Sequence, residues 1–396
     1  MNQPADFDES ARRALKHLTA VESAPPFLFH HEPSDLMRRE LPGFIEKHLS
    51  ALRYLEKRMA MTFRGTLHVF AYRDAGEIQR ITEADMATGA FATGSGLHVP
   101  LGLDPHHELT HYLCLTWNAP GNDPVVPEEH PVHRYELPVD VFATEGLAGA
   151  LSPAKTWNTS TREWAALYVR LGAKPDMTAL VEGFPKWPDA MNSYWMAGVA
   201  IEFLIERFGI GKLKEWYHRR SADAEIFGQP LGAMNDAWVE WIRQADADPV
   251  RIARSVPNAV WFEKRITGIR GPARVTAVAD EWWIFFHNGR EIGGGWQWWW
   301  PRSHDIELTG DDELRFLALN FGAPRLFVCE CARPDEGEVI VGSDTTWSAH
   351  DLDGLPKELA VIDGMAAWVP GIWPNEGIAL VGKIRGKRIW TIPPPG

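Results

Sequence analysis

The chain has 396 residues, of which 45% are hydrophobic and 23% are charged, and its formal net charge is −13. This length fits two domains of roughly 100–200 residues each, and the composition is typical of a globular protein, which excludes a disordered or fibrous chain. The negative charge, with no segment rich in lysine and arginine, excludes nucleic acid and an anionic membrane surface as main partners, because both need a basic contact surface.

The N-terminal segment and the cysteines bear on the cellular compartment. No stretch reaches the roughly 20 apolar residues that span a bilayer, and MNQPADFDESARRALKH lacks the basic start and apolar core of a secretory signal. Cys329 and Cys331 lie two positions apart on one face of a predicted strand, which disfavours a disulfide between them. Cys114 is expected to be a small buried hydrophobe. We therefore expect a cytoplasmic protein.

The first part of the chain is predicted to mix helices with short strands. Apolar residues at helical spacing between Leu41 and Leu55 predict an amphipathic helix over residues 35–60. The segments GTLHVFAY (65–72) and SGLHVPLG (95–102) are typical of strands. The next residues, Asp104-Pro105, are typical of the N-cap and first turn of a helix, so a helix is predicted to begin there.

Residues 107–111 have the pattern HExxH, with His107 and His111 as its histidines. Histidines four positions apart lie on one face of a helix, so both imidazoles can bind a single ion. Glu108 then lies beside the metal, where it can take a proton from a water molecule that zinc has made more acidic. His106 is the alternative first histidine, but Thr110 occupies the position of its partner.

A zinc site with two histidines needs a third protein ligand and a position left open for water. The main candidate is Glu145 in the segment FATEGLA, which is far enough along the chain for a second helix to return to the first. His130 and His133, in the loop segment EEHPVHRYE, are the alternatives. The pattern therefore predicts a zinc centre formed by the two motif histidines and one of these residues.

Three further helices are predicted before residue 245. A capping-box pattern at Ser160 and Glu163 begins the first of them. The second has an apolar stripe that stops at Gly209, and glycine is typical just after a helix C-terminus. The third lies around Trp238.

The segments HELTH, TEGLA and SYWMAGVAIEFLIERFGIGKLKEWY together resemble the gluzincin-type, peptidase MA-like metallopeptidases. In that group one helix has HExxH, a later helix supplies a glutamate from an EGLA-like segment, and a tyrosine-containing helix ends at a glycine. The resemblance implies that His107, His111 and Glu145 bind zinc. It also implies that Glu108 is the general base and that the hydroxyl of Tyr194 stabilises the oxyanion of the tetrahedral intermediate.

This resemblance covers about residues 25–245 and has one departure. Gly149, four positions after Glu145, is not the acidic residue that thermolysin-like enzymes have there. The group that orients the metal-binding histidines is therefore left open, with Asp140 as a candidate. From its place before HExxH, the strand at 95–102 is expected to be an edge strand that binds an extended peptide substrate by β-augmentation.

The composition changes at about residue 245. The segment ADADPVRIARSVPNAV is typical of a connector in which Pro249 and Pro257 limit helix formation. Short β-type runs separated by turn residues follow it and predict an antiparallel sandwich. The runs are ARVTAVAD, EWWIFFHNG, GGGWQWWW, ELRFLALNF, RLFVCECA, EVIVGS, GIALVGKI and RIWTI. A hairpin turn is predicted at His287-Asn288-Gly289.

This tail resembles the galactose-binding-like β-sandwich modules that accompany glycoside hydrolases and peptidases. The resemblance covers about residues 260–396 and rests on the acidic-aromatic strand EWWIFF, the Asn288-Gly289 turn, the alternating strand at 314–320 and the element from Asp344 to Trp347.

The segment WQWWW belongs to the same tail and contributes to the 19 tryptophans of the chain. Trp296, Trp298 and Trp300 share one face of a strand. If one face is exposed, it offers a flat aromatic surface for a sugar ring or a protein partner. Packing in the core or between domains is the alternative.

The sequence thus predicts an α+β protein with a mainly helical, zincin-like metallopeptidase domain at residues 1–250 and an antiparallel β-sandwich domain at residues 258–396. The expected activity is zinc-dependent hydrolysis of a peptide or protein substrate, with a glycan or protein ligand for the tryptophan-rich domain. The alternative is a catalytically silent carbohydrate- or protein-binding module on a metallopeptidase scaffold. A glycoside hydrolase is a third possibility, suggested by the sandwich alone. The sequence contains no convincing pair of facing carboxylates to support it.

Overall fold

The computed structural model describes most of the chain, which divides into two compact units. The described residues are 7–83, 89–117, 141–152, 159–184, 190–219, 222–256, 259–279, 282–296, 301–319, 327–334, 338–342, 346–362, 365–366 and 377–379. One unit comprises Met1–Lys155 with Pro175–Trp241, and the other comprises Thr156–Lys174 with Ile242–Gly396. The division expected from the sequence assigns residues 159–174 to the first domain, whereas these described residues belong to the second unit.

The fold is α+β. Its helices are α1 (Glu9–His17), α2 (Asp35–Met59), α3 (Ala75–Thr82), α4 (His106–Thr116), α5 (Val141–Leu151), α6 (Thr161–Arg170), α7 (Met177–Gly183), α8 (Ala190–His218), α9 (Asp223–Phe227), α10 (Asn235–Arg243) and α11 (Pro249–Ser255). Its strands are β1 (Ala20–Ala24), β2 (Phe27–His31), β3 (Leu67–Tyr72), β4 (Phe91–Thr93), β5 (Gly96–Pro100), β6 (Val260–Ala279), β7 (Trp282–His287), β8 (Arg290–Trp296), β9 (Arg302–Leu319), β10 (Phe327–Ala332), β11 (Val339–Gly342), β12 (Ser348–His350), β13 (Glu358–Ile362), β14 (Met365–Ala366) and β15 (Gly377–Ala379).

Helix α2 begins and ends close to where its sequence predicts, and the first segment of α8 ends where its sequence predicts. The helix expected over residues 35–60 is α2, and the Ser34 side chain caps its start by accepting the Met37 N–H at 3.3 Å. Helix α8 is interrupted at Gly209, where φ is 82°. The apolar first segment of α8 therefore ends at the glycine that its sequence marks, because φ in this range favours glycine.

The sheet of the first unit has five strands in the order β1-β2-β3-β5-β4. Strands β2, β3 and β5 are parallel to one another, and β1 and β4 pair antiparallel at the two ends. The expectation that residues 95–102 form an edge strand is therefore wrong. The three residues Phe91–Thr93 pair along β5 and take the edge position themselves.

A row of aromatic rings crosses one face of this sheet on β2, β3, β5 and β4. His30 stacks on Phe70 with ring centroids 5.0 Å apart, Phe70 stacks on His98 at 4.6 Å, and His98 stacks on Phe91 at 4.3 Å. The rings are buried, and Phe70 and Phe91 belong to a core cluster that includes residues of α1 and α3. This face of the sheet is therefore closed by α1 and α3.

Helix α2 covers the other face of the sheet. The ring of His48 on α2 is fully buried and packs against Phe27, Phe29 and Phe44 with centroids 5.9, 5.4 and 4.2 Å away. Helix α4 packs against α2 and against β4 and β5. The HExxH segment thus lies on a helix held between the sheet and a long neighbouring helix.

The second unit is built on a seven-stranded sheet whose pairs are antiparallel, an arrangement compatible with a β-sandwich. The strand order is β11-β10-β6-β9-β7-β8, with β12 also paired to β6. Buried aromatic residues of this core include Phe262, Phe285, Phe316 and Trp347. The predicted hairpin joins β7 to β8, and positive φ values of 49° at Asn288 and 76° at Gly289 fit a two-residue type I′ turn.

Helix α6 belongs to this second unit. Both hydrogen bonds of its predicted capping box form, from Glu163 N to the Ser160 hydroxyl at 3.2 Å and from Ser160 N to the Glu163 carboxylate at 2.7 Å. The ring of Tyr168 packs on Trp282 and Trp296 with centroids 4.0 and 5.4 Å away. Trp296 is 9% exposed, so it packs within the unit.

The predicted connector contains helix α11. Pro249 begins this helix instead of limiting it, because the N–H that proline lacks has no intrahelical partner in the first turn. The Asp248 side chain caps the helix by accepting the Val250 N–H at 2.8 Å. The segment between Trp238 and the first strand of the second unit is therefore partly helical.

Several expectations on the tail fall outside the described residues. They concern the remaining tryptophans of WQWWW, Asp344 and the run RIWTI. The three cysteines are buried, and none of them forms a disulfide. Among the described helices, none combines the length and the apolar character needed to cross a bilayer.

Candidate metal centre

Helix α4 begins one residue later than its sequence predicts. Asp104 was the expected N-cap, whereas Pro105 is the N-cap and makes no side-chain cap hydrogen bond. Asp104 instead accepts hydrogen bonds from the backbone N–H of His106 at 2.9 Å and from His106 Nδ1 at 2.5 Å. His106 is therefore engaged by Asp104 and does not join the pair formed by His107 and His111.

The structure brings His107, His111 and Glu145 together. Nε2 of His107 and Nε2 of His111 lie 3.1 Å apart, and Oε2 of Glu145 lies 3.2 Å from the first and 3.4 Å from the second. The two histidines come from successive turns of α4, and the glutamate comes from α5. Within the described part of the chain, this is the single group of three or more histidine, cysteine or acidic side chains spaced to hold a metal ion.

The spacing of these three atoms fits a zinc ion. Zinc binds imidazole nitrogen and carboxylate oxygen at about 2.0–2.2 Å, which places tetrahedral ligand atoms about 3.3 Å from one another. The observed separations of 3.1, 3.2 and 3.4 Å match this value. Three ligands also leave a fourth tetrahedral position open.

The electrostatics of the cluster keep Glu145 ionised. Burial acts to raise the pKa of Glu145, but hydrogen bonds from His107 and His111 outweigh it and lower the pKa to about 2. Burial acts to lower the pKa of His107, but the hydrogen bond to Glu145 and the charges of Glu108 and Glu145 raise it overall. A carboxylate beside two imidazoles is a donor set that suits zinc.

Glu108 is not one of the three clustered ligands but lies close to them. Burial raises the pKa of Glu108, the imidazoles of His111 and His107 lower it, and the charge of Glu145 raises it again. The carboxylate of Glu108 therefore interacts electrostatically with the three clustered side chains. A carboxylate beside the open position of a metal centre is placed to exchange protons with a molecule bound there.

The helix that bears Glu145 packs unusually close to α8. A Cβ atom added to Gly146 would lie 2.7 Å from Ile201 Cγ1 and 2.9 Å from the Ala197 carbonyl oxygen. A Cβ atom on Gly149 would lie 3.3 Å from the Cα atom of Gly198. A side chain at position 149 would therefore press on the backbone of α8 at Gly198.

Tyr194 lies on α8 and is 37% exposed. Its ring packs on Phe184 with centroids 5.0 Å apart. Burial and then the charge of Glu145 raise the pKa of the Tyr194 phenol, which places the residue in the electrostatic neighbourhood of the cluster. Its role toward an oxyanion stays a prediction.

Tyr217 and His218 link the C-terminal part of α8 to α4 and α5, and no sequence pattern pointed to these contacts. The hydroxyls of Tyr217 and Thr144 are 3.3 Å apart, and Thr144 immediately precedes Glu145. His218 Nε2 hydrogen-bonds the carbonyl oxygen of Trp117, directly after α4. The indole N–H of Trp117 in turn donates to the Met59 carbonyl oxygen of α2 at 3.0 Å. These hydrogen bonds link α4 and α5, which supply the ligands, to neighbouring helices. They join residues far apart in the sequence, so no local sequence pattern predicts them.

The other candidates from the sequence fall outside the described residues. These are His130 and His133, the alternative third ligands, and Asp140, the candidate for orienting a histidine. Their predicted roles therefore stay predictions.

Comparisons with known proteins do not assign the chain to a family. No protein-family model and no curated protein matches it. A lectin from Pleurotus ostreatus matches with a TM-score of 0.21 and 19% identity over 32% of this chain and 41% of the lectin.

Two rhamnosidases give similar values. The α-L-rhamnosidase of Streptomyces avermitilis has a TM-score of 0.22 and 19% identity over 32% of this chain and 14% of its own. A GH78 family rhamnosidase of Bacillus sp. GL1 has a TM-score of 0.22 and 19% identity over 33% and 17%. The chain spans less than half of each of these three proteins, and superpositions this poor carry no argument about function.

Proposed function

We propose that this protein is a zinc-dependent peptidase in which His107, His111 and Glu145 hold the metal. The main support is the mutual spacing of the three ligand atoms, 3.1, 3.2 and 3.4 Å, in a group assembled from two helices. Zinc held there supplies a Lewis acid and lowers the pKa of a bound water molecule to about 7.

Glu108 is the general base of the proposed reaction. Its place on α4 next to His107 and one turn before His111 brings the carboxylate beside the ligand cluster. It takes a proton from the attacking water and then delivers a proton to the leaving amine of the peptide bond. Tyr194, near Glu145 and partly exposed, is the residue proposed to donate its phenolic hydrogen to the oxyanion.

Strand β4 is the part of the sheet proposed to receive the substrate backbone. It is the last strand beyond β5, and α4 packs against it. An extended peptide pairs with an unpaired strand edge through main-chain hydrogen bonds. Pairing on β4 would run the peptide alongside the helix that bears HExxH, so β4 takes the role that the sequence assigned to residues 95–102.

The first test is metal content by inductively coupled plasma mass spectrometry. We expect about one zinc per chain in the wild type and loss of that zinc in His107→Ala and Glu145→Ala, because each variant removes one of the three protein ligands. His106→Ala is the matched control, since His106 hydrogen-bonds Asp104 and is not part of the ligand cluster.

Two results would contradict the proposal. Zinc retained in Glu145→Ala would move the third ligand to another residue, with His130 and His133 next in line. A wild-type chain that takes up no zinc when it is supplied would remove the metal centre altogether. A chain that binds zinc as expected would then be tested on a peptide library for cleavage.

A further inference from the structure

A cavity of about 350 Å³ opens beside α5, in the same unit as the proposed metal centre. This volume lies within the roughly 300–1,000 Å³ that is typical of small-molecule sites. Its walls come from α5, α7, the second part of α8 and the segment that includes α9 and the following 3₁₀ turn (Leu231–Met234). The cavity is therefore assembled from segments distant in the chain, and none of the residues that line it belongs to the ligand cluster.

Three of the residues that line the cavity are apolar or aromatic and buried. Phe142 and Trp216 are each 3% exposed, Leu231 is 8% exposed, and all three line the cavity. The indole Nε1–H of Trp216 is buried and has no hydrogen-bond partner among the described residues. An unpaired buried donor is unfavourable, and a carbonyl oxygen brought by a ligand relieves that cost.

Two carboxylates also line this cavity. Glu182 is exposed and has no ion-pair or hydrogen-bond partner in the described part of the chain, and Asp223 is half-buried. Asp223 uses one oxygen to accept the Leu231 N–H at 2.8 Å, which holds the carboxylate in place. None of the described residues that line the cavity is a lysine, arginine or histidine. This described lining therefore combines two carboxylates with an aromatic surface and includes no positive charge.

This combination selects the chemistry of the occupant. A guanidinium or ammonium group is attracted to the face of an indole ring and forms charge-assisted hydrogen bonds with carboxylates. A neutral apolar group would gain only the aromatic contact, and an anion would be repelled by both carboxylates. Arginine suits the site best, because its planar head stacks on an aromatic ring and binds carboxylates through paired N–H groups.

The cavity is within reach of the proposed reaction centre. Phe142 lines the cavity and precedes the ligand Glu145 by three positions on α5, a rise of about 4.5 Å along the helix. The ring of Phe184 also contacts both Phe142 and Tyr194, with centroids 6.5 and 5.0 Å away. An extended peptide advances about 3.3 Å per residue, so two residues of it span the rise along α5 between Phe142, at the wall of the cavity, and Glu145.

We propose that the cavity lined by Phe142, Trp216, Glu182 and Asp223 binds a basic side chain of the substrate, arginine or lysine, close to the bond that is cleaved. The binding of a cationic side chain rests on the cavity itself. Its role as a specificity pocket rests in addition on the proposed peptidase function, so the two parts are tested separately.

The first experiment measures binding to the full-length, metal-free protein by isothermal titration calorimetry. The probes are N-acetyl-arginine N-methylamide and the citrulline compound of the same shape, which lacks the charge. We expect the arginine compound to bind at least about tenfold more tightly, because charge-assisted hydrogen bonds are about twice as strong as neutral ones. Glu182→Gln and Asp223→Asn should each weaken arginine binding by about tenfold and leave citrulline binding unchanged.

Asp236→Asn is the control for this experiment. Asp236 is an exposed acid at the start of α10 in the same unit, and it does not line the cavity. The substitution Asp236→Asn removes one negative charge, as each of the two test variants does, and it should leave arginine binding unchanged. Equal binding of the two probes, absence of arginine binding, or an equal effect of all three variants would overturn the proposal.

The second experiment measures cleavage by the zinc-loaded protein. Two peptides that differ only in arginine or citrulline at a single position next to the cleaved bond should differ about tenfold in kcat/KM, and Glu182→Gln should abolish this difference. Equal cleavage of both peptides by the wild type would overturn the specificity pocket. Absence of any cleavage would count against the peptidase function, and the binding experiment would still decide what the cavity binds.

Discussion

The cluster of His107, His111 and Glu145 and the environment of Asp312 are two groups of polar side chains that differ in how their partners are arranged. Asp312 lies on β9 and is 1% exposed. It accepts hydrogen bonds from the side chains of His287 and Asn288 at 3.0 and 2.9 Å. It also accepts from the backbone N–H groups of Thr309 and Gly310 at 2.7 and 3.0 Å and from the Thr309 hydroxyl at 3.0 Å.

The cluster on α4 and α5 is arranged in the opposite way. Each of its three side chains directs one ligand atom at a common point, and the closest contact, 3.1 Å, joins two imidazole nitrogens. Two such nitrogens repel each other unless a proton or a cation lies between them. The carboxylate of Asp312 has its donors in place and needs no further partner, whereas the imidazole and carboxylate atoms on α4 and α5 converge on one point, as ligands of the proposed metal ion would. The comparison teaches that convergence of possible ligand atoms on one point, and not burial of charge as such, distinguishes a candidate site from a structural tie.

The largest effect is expected when Glu108, the proposed base beside the cluster, is replaced. Glu108→Gln should lower peptide hydrolysis by about 10²–10⁴-fold, because the amide cannot accept the proton of the attacking water. Zinc content should be unchanged, since Glu108 is not one of the clustered ligands. Steady-state kinetics on a cleaved peptide, with metal analysis of the same preparation, measure both. Wild-type turnover in this variant would show that Glu108 is not the base, even if the metal centre is real.

The convergence on α4 and α5 was accessible from sequence because helical periodicity is local. The four-residue spacing of His107 and His111 places both on one face of any helix, and the structure brings Glu145 of the segment FATEGLA to them. The sequence did not reveal the edge strand, because the three residues Phe91–Thr93 are too short to give a periodic signal.

Contacts that cross between elements were equally inaccessible. A capping box predicts where α6 begins, but it contains no information on the unit against which Tyr168 packs. The link from Tyr217 to Thr144 spans 73 positions, so it depends on how α8 folds back on α5. The composition likewise predicted strands in the second unit without predicting that Asp312 would tie the β7–β8 turn to β9.

The two units should respond differently to mild acid. Burial lowers the pKa of His98 to about 3 and, together with neighbouring histidines, that of His30 to about 4; burial also lowers the pKa of His48 to about 4. An unfolded histidine has a pKa of about 6.5, so between about pH 6.5 and 4 the unfolded state binds more protons than the folded state. Stability therefore falls as the pH drops through this window.

The expected loss is about 2 kcal/mol for each of these histidines between pH 6.5 and 5, several kcal/mol in all. The second unit should lose less: burial lowers the pKa of His304 there, but its described histidines are all partly exposed, unlike His48 and His98. Asp312 contributes to stability in a different pH range. Its hydrogen-bond donors hold its pKa well below the usual value, so its contribution to stability is complete above about pH 4 and is lost only below that pH. Hydrogen exchange at pH 7.5 and 5, corrected for intrinsic rates, should show lost protection in β2, β3 and β5 before β6 and β9. The reverse order would contradict this account.

Removing Asp312 tests whether it is purely structural. Asp312→Ala should destabilise the second unit by about 2–4 kcal/mol, because several buried donors lose their acceptor together. Asp312→Asn keeps one acceptor oxygen and should cost less. Urea denaturation measures the stability, and zinc analysis of the same variants should give the wild-type value. Loss of zinc in a folded Asp312→Ala variant would contradict the separation between a saturated structural tie and an unsaturated metal cluster.

The smallest effect concerns the helix that supplies Glu145, and it separates close packing from the intrinsic preference of glycine. In Gly146→Ala the new methyl group would meet Ile201 Cγ1 at 2.7 Å and the Ala197 carbonyl oxygen at 2.9 Å, so α5 must move away from α8. We expect a loss of about 1–3 kcal/mol from this overpacking. Gly43→Ala in α2 is the matched control, because nothing lies within 4 Å of its added Cβ.

Gly43→Ala should stabilise the chain by about 0.5–1 kcal/mol, the helix preference of alanine over glycine. If close packing against α8 also fixes the position of Glu145, Gly146→Ala will weaken zinc binding while Gly43→Ala leaves it unchanged. Thermal unfolding of both variants, with zinc affinity measured by competition with a chelator, tests the two effects together. Equal stabilisation by both alanines would show that α5 can accept a methyl group against α8, and it would contradict this account of the packing.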